Sequence, residues 1–371
     1  MSSILTVTMP KWGLSMQEGK VNLWLKEVGD TIAPGEEIVE VESEKISGAV
    51  EAAVSGTLRR QIAQPDEVLP VGALLGVIAD ADVSDELIDD LVTRFQAEFV
   101  PPADDEADAG PQTQTVQVNG RQLRYLKRGE GGTPLLLIHG FGGDLNNWLF
   151  NHEALAASRA VYAIDLPGHG ASTKITGAAS LDDLADAVSG FMDAVGIASA
   201  DVVGHSMGGG VCLALTRRAP QKVKSLTLIA SAGLGSDING AYIDGFVAGN
   251  TRNALKPLLA QLFSDAGLVT RQLIDDMLKY KRLEGVDAAL ATLAGGLFPG
   301  GRQSDVLADI AAASGKPVLV IWGENDRIIP VAHASAIPSA KVVVLPAQGH
   351  MVQMESASEV NKLIGEFING A

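Results

Sequence analysis

The sequence predicts two domains of different class: a small all-β domain, then an α/β domain built on a mainly parallel sheet. Three observations carry this. Residues 1–80 hold an internal repeat of short strand-like runs with a period of about 37 residues. From Thr115 onward, strand and helix patterns alternate. Between the two lies an acidic stretch with the composition of a linker. A chain of 371 residues is also long for one ordinary domain.

In the repeat, Gly19-Lys20-Val21 answers Gly56-Thr57-Leu58. Asp30-Thr31-Ile32 answers Asp66-Glu67-Val68, and Gly35-Glu36-Glu37-Ile38 answers Gly72-Ala73-Leu74-Leu75. Alternating runs such as Ile38-Val39-Glu40-Val41-Glu42 fit strands, with glycine and proline at the turns. Two similar halves of short strands predict a small sandwich or barrel. Lys45 lies where the first half passes into the second, between Glu42-Ser43-Glu44 and Ile46-Ser47-Gly48.

Residues 81–111 are read as the linker. Positions 81–110 hold ten acidic residues against one basic. The stretch ends in Val100-Pro101-Pro102-Ala103-Asp104-Asp105-Glu106, a composition that extends a chain and disfavours a core. Within it Leu87, Ile88, Leu91, Val92, Phe95 and Phe99 recur at helical spacing, with Ser84 placed to cap them. Such a helix either docks a partner enzyme or packs on one of the two domains. The second is the simpler reading.

In the third segment, 112–371, strands are predicted over 115–118, 123–127, 134–139, 160–165, 201–204, 225–231, 317–322 and 341–346. Several are almost wholly apolar, as strands covered on both faces must be. Catalytic groups in such a sheet lie just past the carboxyl ends of strands. Three candidates do. Asp201-Val202-Val203 runs into Gly204-His205-Ser206-Met207-Gly208, a nucleophile elbow in which small residues admit a strained turn and expose the Ser206 hydroxyl. Val318–Trp322 ends in Gly323-Glu324-Asn325-Asp326, and Val342–Leu345 leads to Gln348-Gly349-His350. The order Ser206, Asp326, His350 is the order this arrangement takes. His350 is the expected base and Asp326 its orienting acid, with Glu324 a rival. The glycine-rich turn His139-Gly140-Phe141-Gly142-Gly143 follows another strand, and the backbone N–H groups of Phe141 and Met207 are the expected oxyanion donors. His205 is expected to face away from the site and His169 to serve a turn. Cys212 is read as a small core residue.

Composition narrows the function classes. A net charge of −17 argues against nucleic acid as a partner. A single cysteine leaves no internal disulfide and no cysteine-based metal site, which fits a cytoplasmic protein. No metal is called. No apolar run reaches the roughly 18 residues of a membrane span, and the first residues lack the pattern of a signal peptide.

Met9-Pro10-Lys11-Trp12-Gly13, Met16-Gln17-Glu18-Gly19 and Glu42-Ser43-Glu44-Lys45-Ile46 resemble a lipoyl domain of the 2-oxoacid dehydrogenase type. The resemblance implies a flattened biotinyl/lipoyl-like barrel over 1–80, with lipoate in amide linkage on Lys45. Biotin domains carry methionines beside the lysine, whereas Glu44 and Ile46 stand here. Residues 112–371 resemble the α/β-hydrolase family through His139–Gly143, Asp165-Leu166-Pro167-Gly168-His169-Gly170, Gly204–Gly209, Gly323–Asp326 and Gly349-His350. That likeness implies a helical cap over roughly 234–310. The H-x-x-x-D-G motif of ordinary E2 acyltransferase domains is absent. The fusion resembles the E2 components of acetoin dehydrogenase systems. It implies a thiamin-dependent E1 that delivers an acetyl group to lipoyl-Lys45, passage of that group to coenzyme A, and a flavoprotein E3. Two other functions stay open: a thioesterase or esterase, and a lipoyl carrier scaffold whose C-terminal domain is not catalytic.

Overall fold

The computed structural model describes residues 4–10, 16–43, 47–52, 54–100, 112–174 and 179–370. They form two compact units that divide at Gly110. In the first, β1 (Ile4–Thr8), β2 (Glu18–Trp24), β3 (Thr31–Ile32), β4 (Glu37–Glu42), β5 (Ser47–Glu51), β6 (Gly56–Gln61), β7 (Val68–Pro70) and β8 (Leu74–Ala79) make two four-stranded antiparallel sheets. Their orders are β1-β8-β6-β3 and β5-β4-β2-β7. Exchanging β1–β4 with β5–β8 turns one order into the other, so the sequence repeat is a structural two-fold. Equivalent glycines show why. A Cβ on Gly19 would meet Met9 Sδ at 2.7 Å, and one on Gly56 would meet Ile78 at 2.6 Å. Val21, Ile38, Val41, Leu58 and Leu75 are fully buried between the sheets.

The β4–β5 pairing runs to Glu42↔Ser47. Lys45, with Glu44 and Ile46, lies outside the described residues. The acidic segment opens with a helix, α1 (Asp85–Glu98), capped by Ser84. It packs on the β-sandwich: Ile88 is buried with Leu74, Val77 and Ala79 of β8, and Leu91, Val92 and Phe95 lean on the same cluster. Arg59 and Arg60 of β6 pair with Asp85 and Asp89. The first unit therefore extends past residue 80, because the helix buries its apolar stripe on that unit's own β8. The expected linker residues 101–111 lie outside the described residues.

The second unit carries β9 (Gln114–Val118), β10 (Arg121–Arg128), β11 (Leu135–Ile138), β12 (Val161–Ile164), β13 (Ala200–His205), β14 (Val223–Ile229), β15 (Val318–Gly323) and β16 (Lys341–Leu345). The sheet order is β16-β15-β14-β13-β11-β12-β10-β9. The β9–β10 hairpin turns at Asn119-Gly120, both with positive φ, as a two-residue turn of this hand demands. Strands β11–β16 are parallel to one another, whereas β10 is antiparallel to both β12 and β9. Alternate residues feed two cores. Leu136, Ile138, Val202 and Leu228 face one side, with α3 (Leu181–Ala194) and α4 (Met207–Arg218). Leu135, Leu137, Val203 and Ile229 face the other, with α2 (Leu149–Leu155) and α11 (Ala357–Gly370).

Between β14 and β15 the chain inserts α5 (Gly240–Ala248), α6 (Arg252–Leu259), α7 (Arg271–Lys281), α8 (Val286–Leu297) and α9 (Ala308–Ala313). A short α10 (Val352–Glu355) precedes α11. The strand order reverses at β11, which has β12 on one side and β13 on the other. Ligands bind at such a switch point, outside the carboxyl ends of the strands. Among the described residues, no helix is long and apolar enough to cross a membrane.

Candidate active site at the sheet switch point

Ser206 follows β13 directly and begins α4 with φ 52° and ψ −121°. A non-glycine residue there stores about 1–3 kcal/mol of strain, which the surroundings must offset. They do so by leaving no slack. A Cβ on Gly204 would meet Gly208 O at 2.4 Å, and one on Gly208 would meet Ile138 O at 2.1 Å. The helix start can therefore sit against β11 only with glycine at both positions.

His350 and Asp326 arrive on the loops after β16 and β15. His350 Nδ1–H donates to Asp326 Oδ2 at 2.8 Å, and the two side chains are 3% and 0% exposed. The other carboxylate oxygen accepts N–H groups from Ile328 (2.8 Å) and Ile329 (3.0 Å). Asp326 is thus held from both sides, and Nε2 of His350 is the ring nitrogen left over. The rival Glu324 is exposed and accepts only a long bond from Ala347 N–H. Ser206 and His350 line one cavity of about 60 Å³, with Gly140–Gly143, Tyr242, Phe246, Met277 and Phe298 among its walls. Most of the wall is apolar, with Tyr242, Ile243, Phe246, Leu259, Leu262 and Met277 supplied by α5–α7 and their connections. Phe141 stands edge-on to Phe246 and Phe298, with ring centres 6.0 and 5.8 Å away.

Two buried histidines hold the glycine-rich turn. Leu166 N–H donates to His139 Nε2 (3.1 Å), so the proton sits on Nδ1, which donates to Gly140 O (2.8 Å). Gly142 N–H donates to His169 Nε2 (3.1 Å), and His169 Nδ1–H donates to Pro167 O (3.2 Å). The rings meet edge to face at 4.9 Å. Burial holds both below the usual histidine range, so both are neutral. Gly143 N–H also donates to Gly140 O, at 3.1 Å. With that carbonyl tied down by two donors, planarity turns the N–H of the same peptide, on Phe141, the opposite way.

Against these arrangements, one sequence expectation changes. His205 does not face away: its ring lies 4.8 Å from that of His350, lines the same cavity, and donates through Nε2 to His350 O at 3.0 Å. The sheet end brings the β16 loop directly over β13, so the side chain has nowhere else to go. His169 does more than serve a turn, since it anchors the glycine-rich loop. Cys212 is fully buried, and burial pushes its thiol up. Among the described residues, no cluster of His, Cys, Asp and Glu could hold a metal ion.

Comparison with known proteins decides the family. Residues 133–357 match the model of the alpha/beta hydrolase fold, and residues 5–78 match the model described as biotin-requiring enzyme. The dihydrolipoyllysine-residue acetyltransferase component of the acetoin cleaving system of Pseudomonas putida is 56% identical over 369 residues, covering 99% of each chain. Its counterpart in Cupriavidus necator is 51% identical over 371 residues, covering 99% of this chain and 98% of that one. The chain belongs to this acetyltransferase family.

Within the family frame, the C-terminal unit also resembles hydrolases. A 2-hydroxymuconate semialdehyde hydrolase from a Pseudomonas species is 34% identical over 251 residues, covering 64% of this chain and 87% of that one. A solved meta-cleavage product hydrolase superposes with a TM-score of 0.64 at 26% identity, covering 70% of this chain and 98% of that one. The acetyltransferase family thus joins a lipoyl-type domain to a hydrolase scaffold in one chain, as one component of a multienzyme system. The residues that sequence reasoning missed are His139 and His205, whose roles depend on neighbours far along the chain. No spacing or periodicity marks them.

Proposed function

We propose that the C-terminal unit transfers an acetyl group from a thioester on the lipoyl arm to the thiol of coenzyme A, through an acyl-Ser206. The observation that carries this reading is the Asp326–His350 pair sharing one cavity with a serine on a strained elbow. Lipoate on Lys45 would supply the tethered dithiol that presents the thioester. Lys45 stands in sequence between two paired strands, and the β4–β5 register supports a hairpin at that point.

Ser206 Oγ attacks the thioester carbonyl carbon while His350 Nε2 takes its proton. The C–S bond breaks, and His350 returns the proton to the departing thiolate. Coenzyme A thiol then gives its proton to His350 and its sulfur to the acyl carbon; the C–O bond breaks, and His350 returns the proton to the departing Ser206 Oγ. Asp326 keeps the proton on Nδ1 and stabilises the charged ring. The Phe141 and Met207 N–H groups receive the oxyanion, and the two bonds that fix the Gly140 carbonyl support Phe141 in that role. A thioester is exchanged for a thioester, so the reaction is near balance and the protein has only to lower barriers. The apolar wall from α5–α7 disfavours water and leaves the thiol as the better acceptor.

This reading includes a thiamin-dependent E1 as the source of the acetyl group, a flavoprotein E3 that reoxidises the arm, and a cytoplasmic location. Likeness to hydrolases supports a second reading, in which water takes the acyl group. Reconstitution with acetylated lipoyl protein separates the two. Transfer predicts acetyl-CoA that forms in step with donor loss and stops in Ser206→Ala. Free acetate formed at the same rate with and without coenzyme A would replace transfer by hydrolysis. Intact mass of protein from a lipoylating host checks Lys45 directly.

A further inference from the structure

His350 is held by more than Asp326. The connection after α6, residues 262–264, lies against the loop that carries it. His350 N–H and the following Met351 N–H both donate to Leu262 O, at 2.8 and 3.0 Å. Glu355, the last residue of α10, bridges the same two segments. Its Oε1 accepts Ser264 N–H at 2.6 Å, and its Oε2 accepts Gly349 N–H at 2.7 Å. Asn325 Nδ2, beside Asp326, donates to Ser264 Oγ at 3.1 Å. The segments are in direct contact, since a Cβ on Gly349 would meet Ser264 N at 2.7 Å and Leu262 O at 2.8 Å.

We propose that Glu355 is a positioning residue for His350, clamping segment 262–264 of the helical insertion onto the catalytic histidine loop. This rests on His350 acting as base for Ser206. The carboxylate takes backbone donors from both segments, Gly349 N–H from one and Ser264 N–H with that of Asp265 from the other, and charge-assisted bonds of this kind are about twice as strong as neutral ones. An amide cannot replace it fully. Glutamine offers one oxygen and one NH₂, and the NH₂ would face a backbone N–H. The clamp acts on the backbone immediately before His350, where a displacement of about 1 Å at a reacting group costs roughly 10²-fold in rate. It also ties the insertion to the catalytic loop, so that lifting the segment over the cavity would pull His350 away from its station.

The test uses the full chain with Glu355→Gln and Glu355→Ala. A fluorophosphonate probe reports Ser206 reactivity without coenzyme A or a lipoyl donor. Acetyl transfer is measured in parallel, and circular dichroism with thermal unfolding confirms that each variant is folded. We expect labelling and kcat to fall together, about 10-fold in Glu355→Gln and about 10²-fold in Glu355→Ala, with KM for the acyl donor little changed. Variants that lose thermal stability yet label at the parental rate when folded would show a scaffold role only and overturn the proposal. If the parent chain itself resists the probe, serine chemistry fails and the clamp fails with it. If the parent labels and both Glu355 variants match it, the clamp alone is wrong.

Discussion

The two units of this chain solve the problem of placing a reactive group in opposite ways. The first is a duplicated β-sandwich whose candidate functional residue, Lys45, belongs to one short connection between paired strands. Everything that marks it is local: the strands on either side and the two-fold repeat around them. The second unit gathers Phe141, Ser206, Asp326 and His350 from the ends of four different parallel strands. None of these is near another in sequence, and the site exists only when the sheet is in register. A carrier has to be presented, whereas a catalyst has to be assembled. That difference governs what a mutation in each unit does.

The largest effects should separate the units completely. Lys45→Arg is expected to abolish transfer from the reconstituted system while leaving fluorophosphonate labelling of Ser206 unchanged. Ser206→Ala is expected to abolish labelling and lower transfer by at least about 10⁴-fold, while leaving the mass of the lipoylated arm unchanged. A Lys45→Arg chain that labels poorly would break the comparison. Next in size, Asp326→Asn should keep the fold and lower kcat by about 10⁴-fold through the wrong histidine tautomer, as checked by steady-state rates with an activated acetyl ester. His169→Ala comes third. It frees the Gly142 N–H and loosens the glycine-rich turn. A fall of about 10²-fold in kcat, with weaker binding of a trifluoromethyl ketone that mimics the tetrahedral state, would mark a loss of oxyanion support.

The smallest effect sharpens the contrast through pH. All six histidines lie in the second unit. Burial lowers His139, His169 and His205 below the usual range and brings His152 to about 4. Below the ordinary histidine pKa near 6.5, the unfolded chain takes up protons that these folded groups refuse, so stability of the second unit falls as pH falls. His152 alone contributes on the order of 1 kcal/mol of that loss by pH 5.5. Asp144 and Glu355, whose carboxyls burial raises, work against this fall. In the first unit, burial and then Glu37 raise Glu51 to about 7. That carboxyl binds its proton more readily when folded, so this unit gains stability as pH falls from about 7 towards the ordinary carboxyl range. Calorimetry of the full chain between pH 7.5 and 5.5 should show two transitions moving in opposite directions.

Much of the architecture was legible without coordinates. The eight strands of the α/β unit appear where they were predicted; β11–β15 are buried and mostly apolar, as strands covered on both faces must be, whereas β9, β10 and β16 are partly exposed. Ser206, Asp326 and His350 were legible because each ends such a run, and chain order did the rest. The helix over 85–98 was legible as a helix that packs on one of the two domains, but which domain was not; β8 and β6 beneath Ile88 and the aspartates decide it. The place of His205 was not legible for the same reason. A histidine's surroundings are set by whichever loops fold over it, here the one carrying His350.

By itself, then, the amino-acid order determined the two fold classes, the repeat, the position of Lys45 between strands and the identity of the three groups at strand ends. These follow from periodicity and from backbone rules that act within a few residues. Only the tertiary structure decided which groups touch. It paired His350 with Asp326 rather than Glu324, tied Gly140 to His139, and set Glu355 across Ser264 and Gly349. Such contacts join residues separated by most of a domain. They are created by sheet register and loop packing, and no local pattern in the chain encodes them.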